Sequence, residues 1–275
     1  MPTTLERIAD IVKTKGAVPA GCDPYAFANE ILPLLGSTDG KLREWRVLGI
    51  LHLWVSRREM SDEEIRNLLW TVADREHLFL GIDEPGTDAV FMRSFSALLL
   101  GAFAKAHRER AYLSSEDLRR LLGAVVEYLG EETDLRGFVS KEKLWAHASA
   151  HAADTVGRLA PCHELTQDDL EPALEGLGRK ATTDRAPFVF EEDARLAAAA
   201  VRVLERNLLP HAQVEAWATS LVPAERFGDD LPFVIYRYVN ARNFLRCLLV
   251  QGDEAGLAEE TMEAVRAAHG ALSAL

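Results

Sequence analysis

Helical periodicity runs through nearly every long segment of this 275-residue sequence and limits its fold more than any other feature. Residues 42–54, LREWRVLGILHLW, place apolar side chains at three- and four-residue spacings, which keeps one side of a helix apolar. No segment shows convincing period-two alternation, and 18 glycines with 11 prolines are too few for a turn-rich β fold. The sequence therefore predicts an all-α protein of about twelve helices joined by short loops.

Local signals place the helix starts. Capping-box patterns, in which two residues exchange hydrogen bonds with each other's backbone amides, begin at Ser61, Ser114 and Thr166. Ser140 is a candidate N-cap without an acidic partner. Further helices are predicted at about 3–15, 24–35, 87–110, 191–207, 210–222, 231–251 and 254–273. So many helices with short connections favour stacked αα-hairpins, the arrangement of helical-repeat solenoids.

Residues 1–275 are interpreted as one helical-repeat domain, because composition does not change along the chain. Two segments, Val90–Leu100 and Val239–Leu249, share five of eleven residues in register. This match favours an internal repeat, although helices rich in leucine and alanine also produce such matches by chance. The least helical stretch, 182–190, is a candidate hinge.

Charge and composition exclude several classes of protein. With 31 Lys and Arg against 43 Asp and Glu, the formal charge of −12 argues against nucleic acid and anionic membranes as partners. Cys22, Cys162 and Cys247 are far apart and predict neither a disulfide framework nor a thiolate zinc site. The first residues lack a signal-peptide core, and the most apolar stretch, 95–104, is far shorter than the roughly 20 residues of a membrane span. We therefore expect a cytoplasmic protein.

Standard catalytic motifs are missing from the sequence. It contains no Gly-x-Ser-x-Gly elbow, and GSTDGK at 36–41 is one residue shorter than a phosphate-binding loop, so it is interpreted as a turn. His147 and His151 have the helical spacing of zinc ligands. However, Ala148 occupies the position of the glutamate that a zinc peptidase requires.

Residues 134–161 differ from ordinary helix sequence. A helical wheel of 144–159 separates three faces, one apolar, one of small residues suited to a close helix neighbour, and one ionisable. The apolar face consists of Trp145, Ala148, Ala152, Val156 and Leu159. The face of small residues consists of Ala146, Ser149, Ala150, Ala153 and Gly157. The ionisable face consists of His147, His151, Asp154 and Arg158. We expect Trp145 to be largely buried and the ionisable face to line a groove.

Three interpretations of the ionisable face stay open. His147, His151 and Asp154 have a spacing that would let them bind one divalent metal ion or share a proton. Alternatively, the face is a hydrogen-bonded polar seam in which Asp154 orients His151 and Arg158 pairs with a carboxylate. The third interpretation is another ligand-binding or catalytic role. Because no remaining metal ligands are evident, no cofactor is predicted.

Arg93 and Arg242 share helix faces with apolar residues. Since an unpaired guanidinium is costly in the interior, each is predicted to pair with an acid from another helix. The acids available are Asp134, Asp154, Glu191, Glu192 and Asp193, and we expect the aspartates to be the partners. Glu191, Glu192 and Asp193 also suit the start of a helix, where negative charge is favourable. Arg136 and Gly137 are predicted to shape the turn before His147, with Gly137 at positive φ.

DLRGFV at 134–139 and WAHASAHAAD at 145–154 resemble the signature of a bacterial family of uncharacterised proteins, a domain of unknown function. Members of that family typically read DLRGYV, then GWAH and, two residues later, AHAAD. RSFS at 93–96, EEDARLA at 191–197 and NFLRCLL at 243–249 are similar to further blocks of the family, so the resemblance covers about 90–250. Phe138 and Leu144 depart from the usual tyrosine and glycine, which argues against a role for a tyrosine hydroxyl there.

This resemblance implies a HEAT-like fold without an established activity, so no catalytic residue is carried over. It marks as signature positions Arg93, Asp134, Arg136, His147, His151, Asp154 and Asp193. Together with Arg158 and Arg242, these are the candidate residues of a ligand groove.

Two functions fit these observations. The first is a non-catalytic binding protein whose concave groove holds a small polar ligand or a peptide or protein partner. The second is an enzyme, such as a hydrolase with or without a metal, in which His147 or His151 acts as general base oriented by Asp154. Arg93 or Arg136 would then hold an anionic substrate. The charge of −12 argues against a DNA-lesion enzyme on a helical scaffold.

Overall fold

Side-chain caps define where several helices begin. The computed structural model describes residues 2–227 and 229–274, and in it Ser61, Ser114 and Thr166 each stand immediately before a helix. The Asp117 amide donates a hydrogen bond to the Ser114 hydroxyl at 3.1 Å, and the Ser114 amide donates to the Asp117 carboxylate at 3.1 Å. The three predicted starts are confirmed.

Within the described residues, the chain forms twelve α-helices, and the predicted all-α class is confirmed. The helices are α1 (Thr4–Lys13), α2 (Pro24–Ile31), α3 (Leu48–Arg57), α4 (Asp62–Val72), α5 (Ala89–Glu109), α6 (Ser115–Glu131), α7 (Ala148–Leu159), α8 (Gln167–Ala181), α9 (Glu192–Leu204), α10 (His211–Ser220), α11 (Phe233–Ala255) and α12 (Glu259–Ser273). A 3-10 helix, Leu32–Gly36, and a π-helix, Lys41–Val47, precede α3, and two short strands, β1 (Phe138–Ser140) and β2 (Leu144–Trp145), precede α7.

Alternate helices pack beside each other. Helix α3 packs against α5, α5 against α7, α7 against α9 and α9 against α11, while α6 packs against α8 and α10 against α12. The small-residue face of α7 permits one of these contacts: a Cβ on Gly157 would lie 3.4 Å from the Cα of Ala199 on α9. The functional groups of α7 are therefore held between two neighbouring helices, α5 and α9.

Helix α5 lies in the core. The apolar stretch 95–104 is too short for a membrane span, but it lies within α5, which has 21 residues. The mean hydropathy of α5 is 1.4 over its most apolar window, so the whole helix is long and apolar enough to cross a membrane. In the structure 83% of that window is buried inside the protein. Fully buried Phe91 and Phe103 show why the helix is so apolar. This burial is typical of the central helix of a soluble protein.

The helix predicted over 144–159 begins four residues later than expected. Leu144 and Trp145 pair with β1 in an antiparallel hairpin, and His147 adopts a left-handed conformation (φ 56°) as the N-cap of α7. The amides of Ala146 and His147 donate to the carbonyls of Gly137 and Arg136, both at 2.9 Å. These bonds keep residues 144–147 outside the helix, so the wheel placed them wrongly. Ser140, which lies in β1, is not a helix N-cap.

Candidate functional site

A pocket of about 550 Å³ opens where the π-helix and α3 face α5, α7 and the loop before α9. Its apolar lining consists of Leu48, Phe95, Leu98, Trp145, Val189 and Phe190, and its polar lining of Glu44, His147, His151, Glu191 and Arg195. It thus contains both predicted histidines. A second pocket of about 510 Å³, which includes Trp217 and Arg237 in its lining, contains none of the predicted site residues.

His151 is held by a short chain of hydrogen bonds. The Ser94 hydroxyl of α5 donates to the carbonyl of Ala146, and Nδ1 of His151 lies 2.7 Å from the same hydroxyl oxygen. Since the single hydroxyl proton points to the carbonyl, Nδ1 of His151 must carry the proton that completes the second bond. The opposite nitrogen, Nε2, is therefore left with a free lone pair.

The surroundings keep this imidazole neutral. Burial, reinforced by the neighbouring His147 and by the positive charge of Arg195, lowers the pKa of His151 to about 3. Its ring also packs edge-to-face on Phe95, with 5.1 Å between ring centroids. His151 therefore offers the pocket an uncharged hydrogen-bond acceptor at physiological pH, and it is too weakly basic to remove a proton efficiently.

His147 joins the hairpin to the loop before α9. Its Nε2 lies 2.9 Å from the Phe190 carbonyl and 3.3 Å from a carboxylate oxygen of Glu192. Because a carbonyl can only accept, Nε2 carries the proton. The ring stacks on Trp145 with 5.1 Å between centroids and 20° between planes. His147 is thus a positioning residue for the aromatic wall of the pocket.

That wall is built from three aromatic residues around a glycine. Trp145 meets Phe138 and Phe190 edge-to-face, with centroid distances of 5.3 and 5.5 Å. Trp145 is only partly buried and lines the pocket, so it is less enclosed than a residue of the core. The prediction of positive φ at Gly137 was also wrong. Glycine is required there because a Cβ would lie only 2.1 Å from the Phe190 ring.

The loop 182–190 forms the outer side of the pocket. It contains no helix, as the sequence predicted, and its role as a hinge stays a prediction. Fully buried Asn240 on α11 donates to the carbonyls of Thr183 and Ala186, both at 2.8 Å, and accepts from the Phe188 amide at 2.9 Å. These three bonds fix the loop so that Phe190 stands against Trp145.

The π-helix supplies a second polar side through Arg43 and Glu44. Arg43 is fully buried, with its guanidinium 4.2 and 4.5 Å from the ring centroids of Phe91 and Phe95. It donates to the Trp145 carbonyl at 3.0 Å and to the Glu44 carboxylate at 2.9 Å. The same Glu44 oxygen, Oε1, accepts from the Trp145 amide at 3.1 Å. The other carboxylate oxygen of Glu44 makes no hydrogen bond within the described part of the chain.

Asp154 does not orient His151, contrary to one of the expectations. Its two oxygens instead accept from Nε and Nη2 of Arg195 on α9, the first at 2.6 Å. Because this fork engages the whole carboxylate, Asp154 is not available to a metal ion beside the two histidines. Across residues 2–227 and 229–274, no group of three or more His, Cys, Asp or Glu side chains is arranged to hold a metal ion.

The predicted ion pair of Arg93 is confirmed, but its partner is a glutamate and not one of the expected aspartates. Its guanidinium donates to both oxygens of Glu132, at 2.7 and 3.0 Å, in the fully buried interior. Tyr128 donates to the same carboxylate at 3.0 Å. The expected aspartate partners were wrong because Glu132 directly follows α6, where the end of the helix brings it to α5.

Asp134 and Arg136 pair with each other near this ion pair. Arg136 donates to both oxygens of Asp134, and its Nη2 also reaches the Thr87 carbonyl at 2.6 Å. Burial acts to raise the pKa of Asp134, but hydrogen bonds from Arg136 and from the Gly86 amide outweigh it and lower that pKa. Neither residue lines the His151 pocket, and neither does Arg93, so these three predicted residues lie outside it.

The remaining predicted residues lie in three places. Arg158 lines an adjoining cavity and, within the described residues, makes no ion pair, contrary to the polar-seam interpretation. Asp193 lies in the first turn of α9, where its carboxylate accepts from the Ala194 amide at 2.9 Å. Arg242 has no acid within salt-bridge distance among the described residues. Its guanidinium instead lies over the Tyr238 ring, 5.7 Å from the centroid, so its predicted ion pair was wrong.

Several residues that build the pocket were not predicted from the sequence. Ser94 and Arg195 lie inside blocks that were noted only for their resemblance, RSFS and EEDARLA. Glu44 and Arg43 carry no recognisable motif. Their role depends on contacts with residues about a hundred positions away, and no local pattern reports such contacts.

Comparison with known proteins agrees with the resemblance. A family model described as "Protein of unknown function (DUF2785)" matches residues 78–250, more than half of the chain. The chain belongs to this family. No curated protein and no solved structure matches it. The DUF2785 match contains both histidines, Phe190 and Arg195 of the pocket, whereas Glu44 and Leu48 precede the matched segment.

Proposed function

We propose that this DUF2785 protein is a cytoplasmic, non-catalytic binding protein, and that the pocket around His151 holds a small polar ligand with a planar ring that carries an N–H donor. The observation that carries this proposal is the free lone pair of His151 Nε2 in an aromatic-lined pocket. A neutral acceptor beside aromatic faces suits a flat ring with an N–H group. Nucleic acid and membranes are not proposed as partners, because the chain carries a charge of −12.

A solenoid of HEAT-like αα-hairpins is the architecture we propose for this function. The packing of α3, α5, α7, α9 and α11, each beside the next, supports it. Solenoids of this kind present concave surfaces to their ligands. The pocket, which lies along α3, α5 and α7, would then be part of that concave surface.

The enzyme hypothesis has less support. A general base needs a pKa near the operating pH, whereas the pKa of His151 is lowered to about 3. Nε2 of His147 is engaged with the Phe190 carbonyl, and Asp154 is engaged with Arg195. Arg93 and Arg136, the proposed substrate anchors, are paired with acids outside the pocket.

Calorimetric titration with planar N–H compounds tests the proposed function. The probes are adenosine, guanosine, cytidine and uridine, and each is titrated into the wild-type protein and the His151→Phe variant. His151→Phe keeps a ring in place but removes the acceptor, so we expect at least one probe to bind and its affinity to fall about tenfold or more, as the loss of about 1.4 kcal/mol would produce. His163→Phe, which changes a histidine whose side chain is 89% exposed, is the matched control.

Two results would overturn the proposal. The first is that none of the four nucleosides binds to the wild-type protein. The second is that His151→Phe binds a probe as tightly as the wild-type protein does. Nitrogen-15 NMR of the imidazole gives an independent reading, because the hydrogen bonds require the proton on Nδ1 and none on Nε2.

A further inference from the structure

The cavity that adjoins the His151 pocket and is lined by Arg158 has a volume of about 290 Å³ and lies along α3 and α7. Three residues, Glu44, Leu48 and Leu98, line both cavities, so the two adjoin, and we refer to them together as the groove. The far end of the groove is lined by His52 of α3 and Arg158 of α7. We propose that this far end is a phosphate subsite, and that the ligand is a phosphomonoester whose ring occupies the His151 pocket. This inference rests on the proposed function for the ring and on independent observations for the phosphate.

Arg158 is placed for an external partner. It forms no ion pair with any acid of the described residues. A Cβ on Gly101 of α5 would lie 2.8 Å from Nη1 and 2.9 Å from Cδ of Arg158, so glycine leaves the space through which this side chain passes. Thr155, one turn earlier on α7, is anchored to the Ala97 carbonyl at 2.6 Å and fixes the same helix face. A guanidinium that is positioned in a cavity without a carboxylate partner is suited to bind an anion.

Basic side chains lie around this end of the groove. Burial lowers the pKa of His52, and the positive charges of Arg158 and Lys105 lower it further. Lys105 is paired with Glu109 at 3.7 Å, whereas Arg158 has no acid partner among the described residues. Glu44, the acid that also lines this cavity, is bonded to Arg43. The planar guanidinium of Arg158 can donate two parallel hydrogen bonds to a phosphate, and it attracts a doubly charged phosphate more strongly than a singly charged carboxylate.

Spacing along α7 sets the size of the ligand. His151 and Arg158 are seven residues apart on one helix, which corresponds to about 10 Å between ring and phosphate subsites. Glu44 lies where the two cavities meet, and its second carboxylate oxygen can accept hydrogen bonds from hydroxyl groups. A planar base, a hydroxyl-bearing sugar and a terminal phosphate occur in this order in a nucleoside 5′-monophosphate. That is the class of ligand we assign to the groove.

Titration of matched probes tests the assignment. Each of the four nucleosides, its 5′-monophosphate, inorganic phosphate and acetate are titrated into the wild-type protein, Arg158→Gln, Arg158→Lys and the control Arg266→Gln, which alters an exposed arginine on α12. We expect the monophosphate to bind at least tenfold more tightly than its nucleoside in the wild-type protein and the control. In Arg158→Gln the difference should fall below about threefold, and Arg158→Lys should recover part of it. Inorganic phosphate, but not acetate, should shift the NMR signals of His52 in the wild-type protein.

The outcomes separate the phosphate subsite from the proposed function. If a nucleoside binds and its monophosphate binds no better, the subsite is refuted while the ring pocket stands. If no nucleoside binds but phosphate shifts the His52 signals in an Arg158-dependent way, the subsite stands and the ring pocket is refuted. An equal response to acetate and phosphate overturns the phosphate preference. Retention of the tenfold difference in Arg158→Gln overturns the role of Arg158.

Discussion

Buried His151 should make this protein sensitive to mild acid. The unfolded chain binds a proton at this histidine below its ordinary pKa of 6.5, whereas the folded protein does so only near pH 3. Between these values the unfolded state binds more protons, so the free energy of unfolding falls as the pH falls. The stability is fully present above pH 6.5 and is lost progressively down to about pH 3. Each pH unit costs about 1.4 kcal/mol, so a change from pH 7 to pH 5 costs about 2 kcal/mol through this residue.

Urea unfolding followed by tryptophan fluorescence measures the effect. Carboxylates and other histidines also titrate in this range, so the informative quantity is the difference between the wild-type protein and His151→Gln, which cannot be protonated. Between pH 7 and pH 5 the wild-type protein should lose about 2 kcal/mol more than the variant. The exposed-site variant His163→Gln should follow the wild-type protein. Equal losses in the wild-type protein and His151→Gln would refute the assignment of a neutral, buried imidazole.

Three further variants test other parts of the site. Arg93→Leu should lower the free energy of unfolding by about 3–5 kcal/mol, because it leaves the Glu132 carboxylate buried without its partner. The double variant Arg93→Leu/Glu132→Gln should recover part of that loss in the same urea assay. Gly137→Ala should displace the Phe190 ring and cost roughly 1–3 kcal/mol, which a thermal melt would show as a lower Tm than that of the wild-type protein. Trp145→Ala should lower the free energy of unfolding by less than the roughly 3–5 kcal/mol expected for a fully buried aromatic residue, and it should weaken nucleoside binding. A larger loss of stability would contradict the partly buried position of the indole.

Local signals predicted most of the helices because local contacts form them. Apolar periodicity and capping residues such as Ser114 depend on neighbours within a few positions, and these helix starts are confirmed. The hairpin at 144–145 could not be predicted in this way. Its backbone is held by Arg43, whose side chain bonds to carbonyls of Lys143 and Trp145 about a hundred residues along the chain. Contacts of such range override the helical preference of the local sequence.

The candidate site was predicted only in part, because local patterns do not report contacts between distant helices. His147 and His151 stand out as a repeated residue type at helical spacing, and both line the pocket. The partner of Asp154 was mistaken because Arg195 approaches from α9, which the wheel of a single helix does not include. Arg93 was correctly expected to need an acid, since burial of a guanidinium is costly wherever it occurs. The identity of that acid depended on how α6 and α5 pack together.

The buried guanidinium of Arg43 bears on how this protein can be dissected. Expression of the family segment 78–250 alone would remove Arg43 and Glu44, so the hairpin carbonyls would lose their donor and the groove would lose the side formed by α3. Truncation at residue 250 would also cut α11 before Gln251, which donates to the Ala194 carbonyl at 3.1 Å. The limits of the sequence family therefore cut through packed structure, and a fragment that ends at residues 78 and 250 would lack contacts that hold the groove together.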